Sequence, residues 1–246
     1  MLLRVISSSS EGNCYLLTSS EGSTLILECG VPLKDILLGL NFSLAGVCGC
    51  IVTHRHNDHA RSVEELARRG ITVATSADVL EAKRVAGKPF TMEVSAGVSF
   101  SLGDYKITPL RAYHDVPCLA YVVEHPEMGK MMLATDTYKL PYKVRGLRHL
   151  LIECNYTDAA LCMSEAEGIC PSSLRDRLML SHMELKTTAG VVANNTQDSL
   201  QTVVLIHLSH DNSDREEMVE TVSSVSGLPT YTAYPGMVVN LDKNPY

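Results

Sequence analysis

The segment 53–59, with the sequence T-H-R-H-N-D-H, holds the residues whose types and spacing could do chemistry. Its four potential metal ligands are His54, His56, Asp58 and His59. In an extended loop, residues two apart point the same way, so we expect His54 and His56 to share one ion. Asp58 and His59 are adjacent and should diverge, which suits a second ion. Imidazoles and carboxylates together indicate Zn²⁺, Mn²⁺ or Fe, and the regular spacing argues against a surface loop that is His-rich by accident.

Three further candidate ligands follow apolar runs that are typical of strands. They are His114, Asp136 and His207, and the segment 53–59 itself follows the apolar run 47–52. A single histidine at a strand end is more often a hydrogen-bonded structural residue. Sites in open α/β sheets, however, gather beyond the carboxyl ends of strands. The shared position of these residues therefore favours one ligand set over separate structural roles.

Composition limits the classes of function that fit. The chain has 246 residues, of which 45 % are hydrophobic and 20 % charged, as in ordinary globular proteins. Its net charge of −7 argues against a surface that coats nucleic acid broadly. That charge does not exclude a nuclease, because bound cations would meet the phosphate.

The eight cysteines and the amino terminus favour a cytoplasmic protein. No cysteine pair has C-x-x-C spacing, so we expect free thiols in a reducing compartment. The first residues become polar too soon for a signal peptide, and no apolar run is long enough to span a membrane.

The order of periodic segments predicts one compact α/β domain over residues 1–246. Three short strands come first, then β-α alternation, then an all-β stretch over 91–133, then renewed alternation. The predicted strands are 2–6, 14–18, 24–28, 71–74, 98–100, 105–110, 119–123, 130–133, 150–153, 203–207, 230–232 and 237–240, with one more ending in the run 47–52. The predicted helices are one beginning at Pro32, 62–69, one from Ser76 to about Ala86, 171–180, 184–194 and 214–222.

The sequence resembles the metallo-β-lactamase fold superfamily from about residue 5 to residue 239. The likeness rests on H-x-H-x-D-H, on His114 followed by V-P at 116–117, on A-T-D-T at 134–137 and on H-L-S at 207–209. It implies an α/β fold, a four-layer αββα sandwich with a di-metal site at one edge of the two sheets. The ligand set it implies is His54, His56 and His114 for the first ion, Asp58, His59 and His207 for the second, and Asp136 bridging both.

A more specific likeness is to small YycJ/WalJ-type members, which implies a DNA exonuclease. It rests on the loop 8–14, the E-x-N segment at 153–155, the segment S-H-M at 181–183 and H-L-S-H-D-N at 207–212. The resemblance implies that His182 is a catalytic auxiliary, not a ligand, and that Asn155 and Ser209 contact substrate. His210 replaces a residue that is usually not His, so it is either an extra substrate contact or a surface residue. The chain departs from the superfamily pattern at Glu28, where Asp is more usual.

The expected reaction is hydrolysis of a phosphodiester in nucleic acid, most simply DNA. Two ions, Zn²⁺ by preference with Mn²⁺ or Fe as alternatives, would lower the pKa of a bridging water and hold the hydroxide in line with phosphorus. Asp58 would accept the water's proton. His182 would stabilise the transition state or protonate the leaving oxygen.

Three other functions stay open at this point. A phosphodiesterase for cyclic nucleotides fits the net acidity and the absence of Lys/Arg clusters. A thioester or lactone hydrolase of the same fold would not need His182. A non-catalytic binding protein is the third, although seven retained ligand-type residues argue against it.

Overall fold

The computed structural model describes residues 1–197 and 199–244. Its strands are β1 Leu2–Ser9, β2 Gly12–Thr18, β3 Thr24–Leu27, β4 Val47–Ile51, β5 Val73–Thr75, β6 Thr91–Glu93, β7 Phe100–Leu102, β8 Tyr105–Tyr113, β9 Pro117–His125, β10 Gly129–Ala134, β11 Leu147–Glu153, β12 Thr202–Ile206, β13 Thr230–Thr232 and β14 Val238–Asn240. Its helices are α1 Leu33–Gly39, α2 Asn57–Ala60, α3 Val63–Ala67, α4 Ala77–Ala82, α5 Asp158–Ala166, α6 Ser172–Ser181, α7 Leu185–Asn195 and α8 Arg215–Ser226.

The strands form two sheets that pack face to face. One sheet has the order β14-β1-β2-β3-β4-β5-β6, and the other has the order β13-β12-β11-β10-β9-β8-β7. Alternation along the strands explains the layers, because successive side chains point to opposite faces. On β10, Met131 and Leu133 join the core between the sheets, whereas Met132 and Ala134 join the core beneath α7 and α8. A third core packs α1, α3 and α4 on the first sheet. The αββα sandwich that the sequence predicts is confirmed.

Parallel pairing brings the ends of several strands to one edge of the sandwich. In the second sheet β10, β11 and β12 are parallel, with Ala134 opposite Ile152 and Ile152 opposite Leu205. In the first sheet β3 and β4 are parallel, with Leu27 opposite Ile51. Each of these strands is followed within three residues by a polar side chain at the same edge.

The two sheets are also joined by hydrogen bonds at that edge. The hydroxyl of Tyr121 on β9 donates to the carbonyl of Val52, which follows β4, at 2.8 Å. The amide of Leu119 donates to the carbonyl of Thr53 at 3.1 Å. The segment after β4 is therefore fixed to the opposite sheet and not only to its own.

Most elements lie where the sequence predicts them, and the differences have local causes. Residues 57–60 form the short helix α2, where we expected an extended loop. The helix α5 was not predicted, because its face is weakly amphipathic and buries mainly Leu161; Thr157 caps it by accepting the amide of Ala160. Strands β8 and β9 are longer than predicted, because they pair as a tight hairpin up to Tyr113 opposite Pro117.

Two predictions about the chain as a whole can be compared with the structure. All eight cysteines are free thiols, as predicted. Within the described ranges, no helix has both the length and the apolar character needed to cross a membrane.

Candidate metal centre

The H-x-H-x-D-H segment turns sharply at the edge of the first sheet. It leaves β4 in an extended conformation and enters α2, so that Asp58 and His59 lie on a helical turn. The backbone of Gly30 packs directly against this turn: a Cβ atom at Gly30 would lie 1.6 Å from the carbonyl oxygen of Asp58. Only glycine permits so close an approach. The side-chain amide of Asn13 also donates to that carbonyl, at 3.3 Å.

Three histidines and one carboxylate form the first group. His56 Nδ1 lies 3.1 Å from His54 Nε2 and 3.3 Å from His114 Nε2. The Oδ2 atom of Asp136 lies 3.7 Å from His54 Nε2 and 3.6 Å from His114 Nε2. The second nitrogen of His114 is fixed, since Nδ1 is 2.8 Å from the carbonyl of Ser181 and can donate to it. This contact leaves Nε2 of His114 free to bind a cation.

Two carboxylates and two histidines form the second group. His59 Nε2 lies 3.2 Å from Asp58 Oδ2 and 3.2 Å from Asp136 Oδ1. His207 Nε2 lies 3.4 Å from Asp58 Oδ2. Asp58 and His59 therefore converge on one point, whereas we expected adjacent residues to diverge. The helical turn of α2 is the reason, because it replaces the alternation of an extended chain.

The two groups have the spacing that a pair of cations requires. Ligand atoms at 2.0–2.1 Å from a tetrahedral ion lie about 3.3 Å apart, close to the separations measured here. In each group the candidate ligand atoms all lie within 4.8 Å of one another. Asp136 belongs to both groups, and its two oxygens face different ones. The residues present fit divalent cations.

The backbone around these residues supports a functional role. Asp136 and His207 have φ angles of 49° and 54°, in the left-handed region that non-glycine residues rarely adopt. Both lie within two residues of the end of a parallel strand, at the edge already described. Strained backbone of this kind is concentrated at ligand and active sites, where the surrounding structure holds it in place.

Burial and neighbouring charges shift the pKa values of the histidines in different directions. Burial lowers the pKa of His54 well below its usual value, and the nearby His59 lowers it further. Burial also lowers the pKa of His207. These two side chains are therefore neutral, which is the form that binds metals. Burial opposes the charge on His59, but the carboxylates around it, Asp136 first, raise its pKa well above the usual range.

His182 stands beside both groups and pairs with a buried carboxylate. Its Nδ1 donates to Glu153 Oε1 at 2.6 Å, and its ring stacks on that of His207 with centroids 5.4 Å apart. Burial lowers the pKa of His182, but the charge and hydrogen bond of Glu153 outweigh it and raise the pKa to about 9. His182 is thus cationic at neutral pH. Glu153 and His182 also form a third possible ligand group with Asp136 and His207.

The three predicted substrate contacts occupy different environments. Asn155 is buried, and its amide donates to the carbonyl of His207 at 2.8 Å. Ser209 is half-buried, and its hydroxyl accepts the amide of Asn212. The side chain of His210 is 98 % exposed and pairs with Asp211. The structure thus brings Asn155 against a candidate ligand and leaves His210 on the surface.

Several residues of the centre were not identified from the sequence. Glu28 is fully buried, accepts the amide of Thr53 at 3.3 Å and lies 3.5 Å from His59 Nδ1. Asp115 lies 3.0 Å from His114 Nε2. Ser8 accepts the amide of His207 at 3.0 Å. The sequence carried a signal for Glu28, as a carboxylate between a strand and a glycine, and for Ser8, which belongs to the loop 8–14. Asp115 depends on a contact that spacing does not reveal.

Comparison with known proteins agrees with this geometry. Residues 10–129 match the family model of the metallo-beta-lactamase superfamily. The structure superposes on a metallo-beta-lactamase fold protein, YhfI from Bacillus subtilis, with a TM-score of 0.73 and 16 % identity, covering 97 % of this chain and 98 % of that one. This chain has the metallo-β-lactamase fold.

Two curated relatives of this metallo-β-lactamase-fold chain are nucleases. Exodeoxyribonuclease YycJ of Bacillus anthracis is 25 % identical over 235 residues, which cover 90 % of this chain and 87 % of the relative. Ribonuclease Z of Methanopyrus kandleri is 23 % identical over 130 residues, 46 % of this chain and 44 % of the relative. The fold is that of metallo-hydrolases, and its homologues include nucleases.

Proposed function

We propose that this protein is a metal-dependent phosphodiesterase, specifically a DNA exonuclease. The observation that carries the proposal is the ion pair of His182 and Glu153, which lies beside two groups of candidate His and Asp ligands. A phosphodiester needs both a stabilised anionic transition state and a proton for the leaving oxygen. A thioester or lactone hydrolase has less need of such a pair.

His54, His56 and His114 would hold one cation, and Asp58, His59 and His207 another, with Asp136 shared between them. Divalent cations at such a site, Zn²⁺ by preference, supply Lewis-acid activation of water and neutralise charge on phosphate oxygens. Glu28 would orient His59 from behind, and Asn155 would hold the backbone of His207, as supporting contacts do in many metal sites.

The protein's own residues would move the protons. The side chain of Asp58 is 21 % exposed, so water reaches it. Burial raises its pKa, but the hydrogen bond and the charge of His59 more than offset this and keep the pKa below the usual value. Asp58 is therefore a carboxylate at neutral pH, ready to take a proton from the attacking water. His182 would then give its Nε2 proton to the departing oxygen, because Nδ1 is held by Glu153.

Similarity supports DNA as the substrate. The exodeoxyribonuclease relative aligns with nine-tenths of this chain, and the ribonuclease relative aligns with about half. Both act on nucleic acid by name. The net charge of −7 is compatible with such a substrate if the cations and a few local basic residues meet the phosphates.

One assay tests the proposal. The purified protein, supplied with Mn²⁺ or Zn²⁺, is offered end-labelled single- and double-stranded DNA, RNA, cyclic mononucleotides, a thioester and a lactone. We expect shortening of DNA from an end. Cleavage of cyclic mononucleotides alone would contradict the exonuclease, and turnover of only the thioester or lactone would contradict a phosphodiesterase.

A variant pair tests the role of His182. His182→Ala should retain metal by elemental analysis and lose about two or more decades of rate, a typical acid–base contribution. His125→Gln is the matched control, since His125 ends β9 at the edge opposite the centre and its ring packs against that of Tyr105. Equal turnover by both variants would remove His182 from the mechanism.

A further inference from the structure

A cleft beside the candidate metal centre has not been used by the mechanism. Its volume is about 610 Å³, within the range of ligand-binding clefts. His114 and Asp115 line it together with Arg111, Tyr113 and Tyr138. The cleft therefore begins at a candidate ligand and continues along the end of β8.

Two basic side chains, Lys139 and Arg111, lie over the tyrosine rings of this cleft. Lys139 Nζ lies 4.3 Å from the ring centroid of Tyr113 and 5.3 Å from that of Tyr138. The guanidinium carbon of Arg111 lies 5.5 Å from the Tyr113 centroid. Among the described residues, these three contacts are the cation–π pairs of the chain. The cation–π contacts restrict the positions that these two flexible side chains can adopt.

The charges of Arg111 and Lys139 remain available to a ligand. Both side chains are exposed, and neither pairs with a carboxylate in the part of the chain that the structure describes. The carboxylate that lines the cleft, Asp115, lies 3.0 Å from His114 Nε2 and 3.5 Å from His56 Nε2, so it faces the histidines. In a chain with net charge −7, this is a local concentration of positive charge next to the centre.

Backbone hydrogen bonds fix the cleft to the centre. The amide of Tyr113 donates to Thr137 Oγ1 at 2.9 Å, and the amide of Tyr138 donates to the carbonyl of Tyr113 at 3.1 Å. The amide of Thr137 donates to Glu153 Oε2 at 2.9 Å. The segment that carries Lys139 is thus joined to the carboxylate that also binds His182.

We propose that Arg111 and Lys139, positioned by Tyr113 and Tyr138, form a binding subsite for a second phosphodiester group of the substrate strand. The proposal rests on the proposed function and specifies its substrate class. A strand of nucleotides places another phosphate beside the one that reacts, whereas a cyclic mononucleotide has no second phosphate. Lys and Arg donors bind such an oxygen through charge and hydrogen bonds. The subsite therefore favours polynucleotides over mononucleotides.

The first measurement is binding. Fluorescence anisotropy of a labelled oligothymidylate, from about 50 to 200 mM salt, gives the slope of log affinity against log salt. The double variant R111Q/K139Q should lower the magnitude of that slope by about 0.7, the contribution of one phosphate contact on a single strand. Lys106→Gln is the matched control: Lys106 is exposed near the opposite end of β8 and should leave the slope unchanged.

The second measurement is selectivity. The ratio of kcat/KM for oligothymidylate to kcat/KM for bis(p-nitrophenyl) phosphate, which has a single phosphodiester, should fall about tenfold in R111Q/K139Q. An unchanged ratio with an unchanged salt slope overturns the subsite. If the wild type cleaves neither substrate, the phosphodiesterase proposal is contradicted but the subsite proposal is not. The salt dependence of binding then tests whether Arg111 and Lys139 contact a phosphate. Circular dichroism of the double variant verifies that it is folded.

Discussion

The substitution Glu153→Gln tests whether His182 acts as a proton donor, because it should lower the pKa of His182 and leave the imidazole in place. The glutamate is fully buried, and its two oxygens bind His182 Nδ1 and the amides of Thr137 and Met183. Glutamine has nearly the same shape, but it removes the charge and, with its oxygen kept by the two backbone amides, presents an N–H donor to His182 Nδ1. Burial alone lowers the pKa of His182, so without the carboxylate the pKa should fall from about 9 to 6.5 or below.

The size of the effect follows from the protonated fraction. At pH 7.5, a pKa of about 9 leaves about 97 % of His182 protonated, and a pKa of 6.5 leaves about 9 %. If the protonated form donates to the leaving oxygen, kcat at pH 7.5 should fall about tenfold or more. The basic limb of the pH–rate profile should move from near pH 9 to below about pH 6.5.

The assay is the kcat profile on DNA from pH 5.5 to 10, with metal content measured for every variant. Glu124→Gln is the control, because Glu124 lies on the same sheet and pairs with Lys106 at the surface, away from the centre. A basic limb that stays near pH 9 in Glu153→Gln would refute the reasoning. His182→Ala should have no such limb, because it lacks the titrating group.

Three further predictions concern the cation and the stability of the fold. Glu28→Gln should weaken Zn²⁺ binding by about 10- to 100-fold in calorimetric titration, because Glu28 orients His59. Glu64→Gln, at an exposed position, serves as the control. Equal affinities of the two variants for Zn²⁺ would contradict a role of Glu28 in orienting His59. Chelation should lower the midpoint of thermal unfolding by roughly 8–16 °C, since a ligand at a thousand times its Kd contributes about 4 kcal/mol; an unchanged midpoint would argue against a structural contribution of the cations. His149 has a pKa lowered to about 4 by burial and by Arg148, so the unfolded chain takes up its proton first as pH falls. Stability should therefore drop by about 3 kcal/mol between pH 6.5 and 4, and urea unfolding of His149→Leu should lack that part of the drop.

The parts of the fold that the sequence predicts are those with strong periodicity. The strand over 203–207 is shifted by one residue from β12, because four consecutive apolar side chains admit few other structures. The strand 230–232 matches β13. The helix α5 escaped prediction because its few buried residues give a weak pattern, and its position depends on packing of Tyr156 and Leu161 with Cys170.

The candidate ligands were predictable because their residue types are rare and each follows a strand. The contacts that support them were not, because those contacts join segments far apart in the chain. Glu153 and His182 are 29 positions apart, and Ser8 and His207 are 199 apart. No local pattern encodes such pairs. The convergence of Asp58 and His59 was missed for a different reason: it depends on whether residues 57–60 are extended or helical.

The distribution of the ligands along the chain imposes an order on how the centre is assembled during synthesis. A nascent chain emerges amino terminus first, and the group of His54, His56, His114 and Asp136 is available once residue 136 has left the ribosome. The group of Asp58, His59, Asp136 and His207 must wait for β12. A ribosome-bound chain that ends between these points could take up one cation equivalent and not the second. If the proposed ligands bind cations, the number of cations taken up by such chains would report how much of the sandwich has folded.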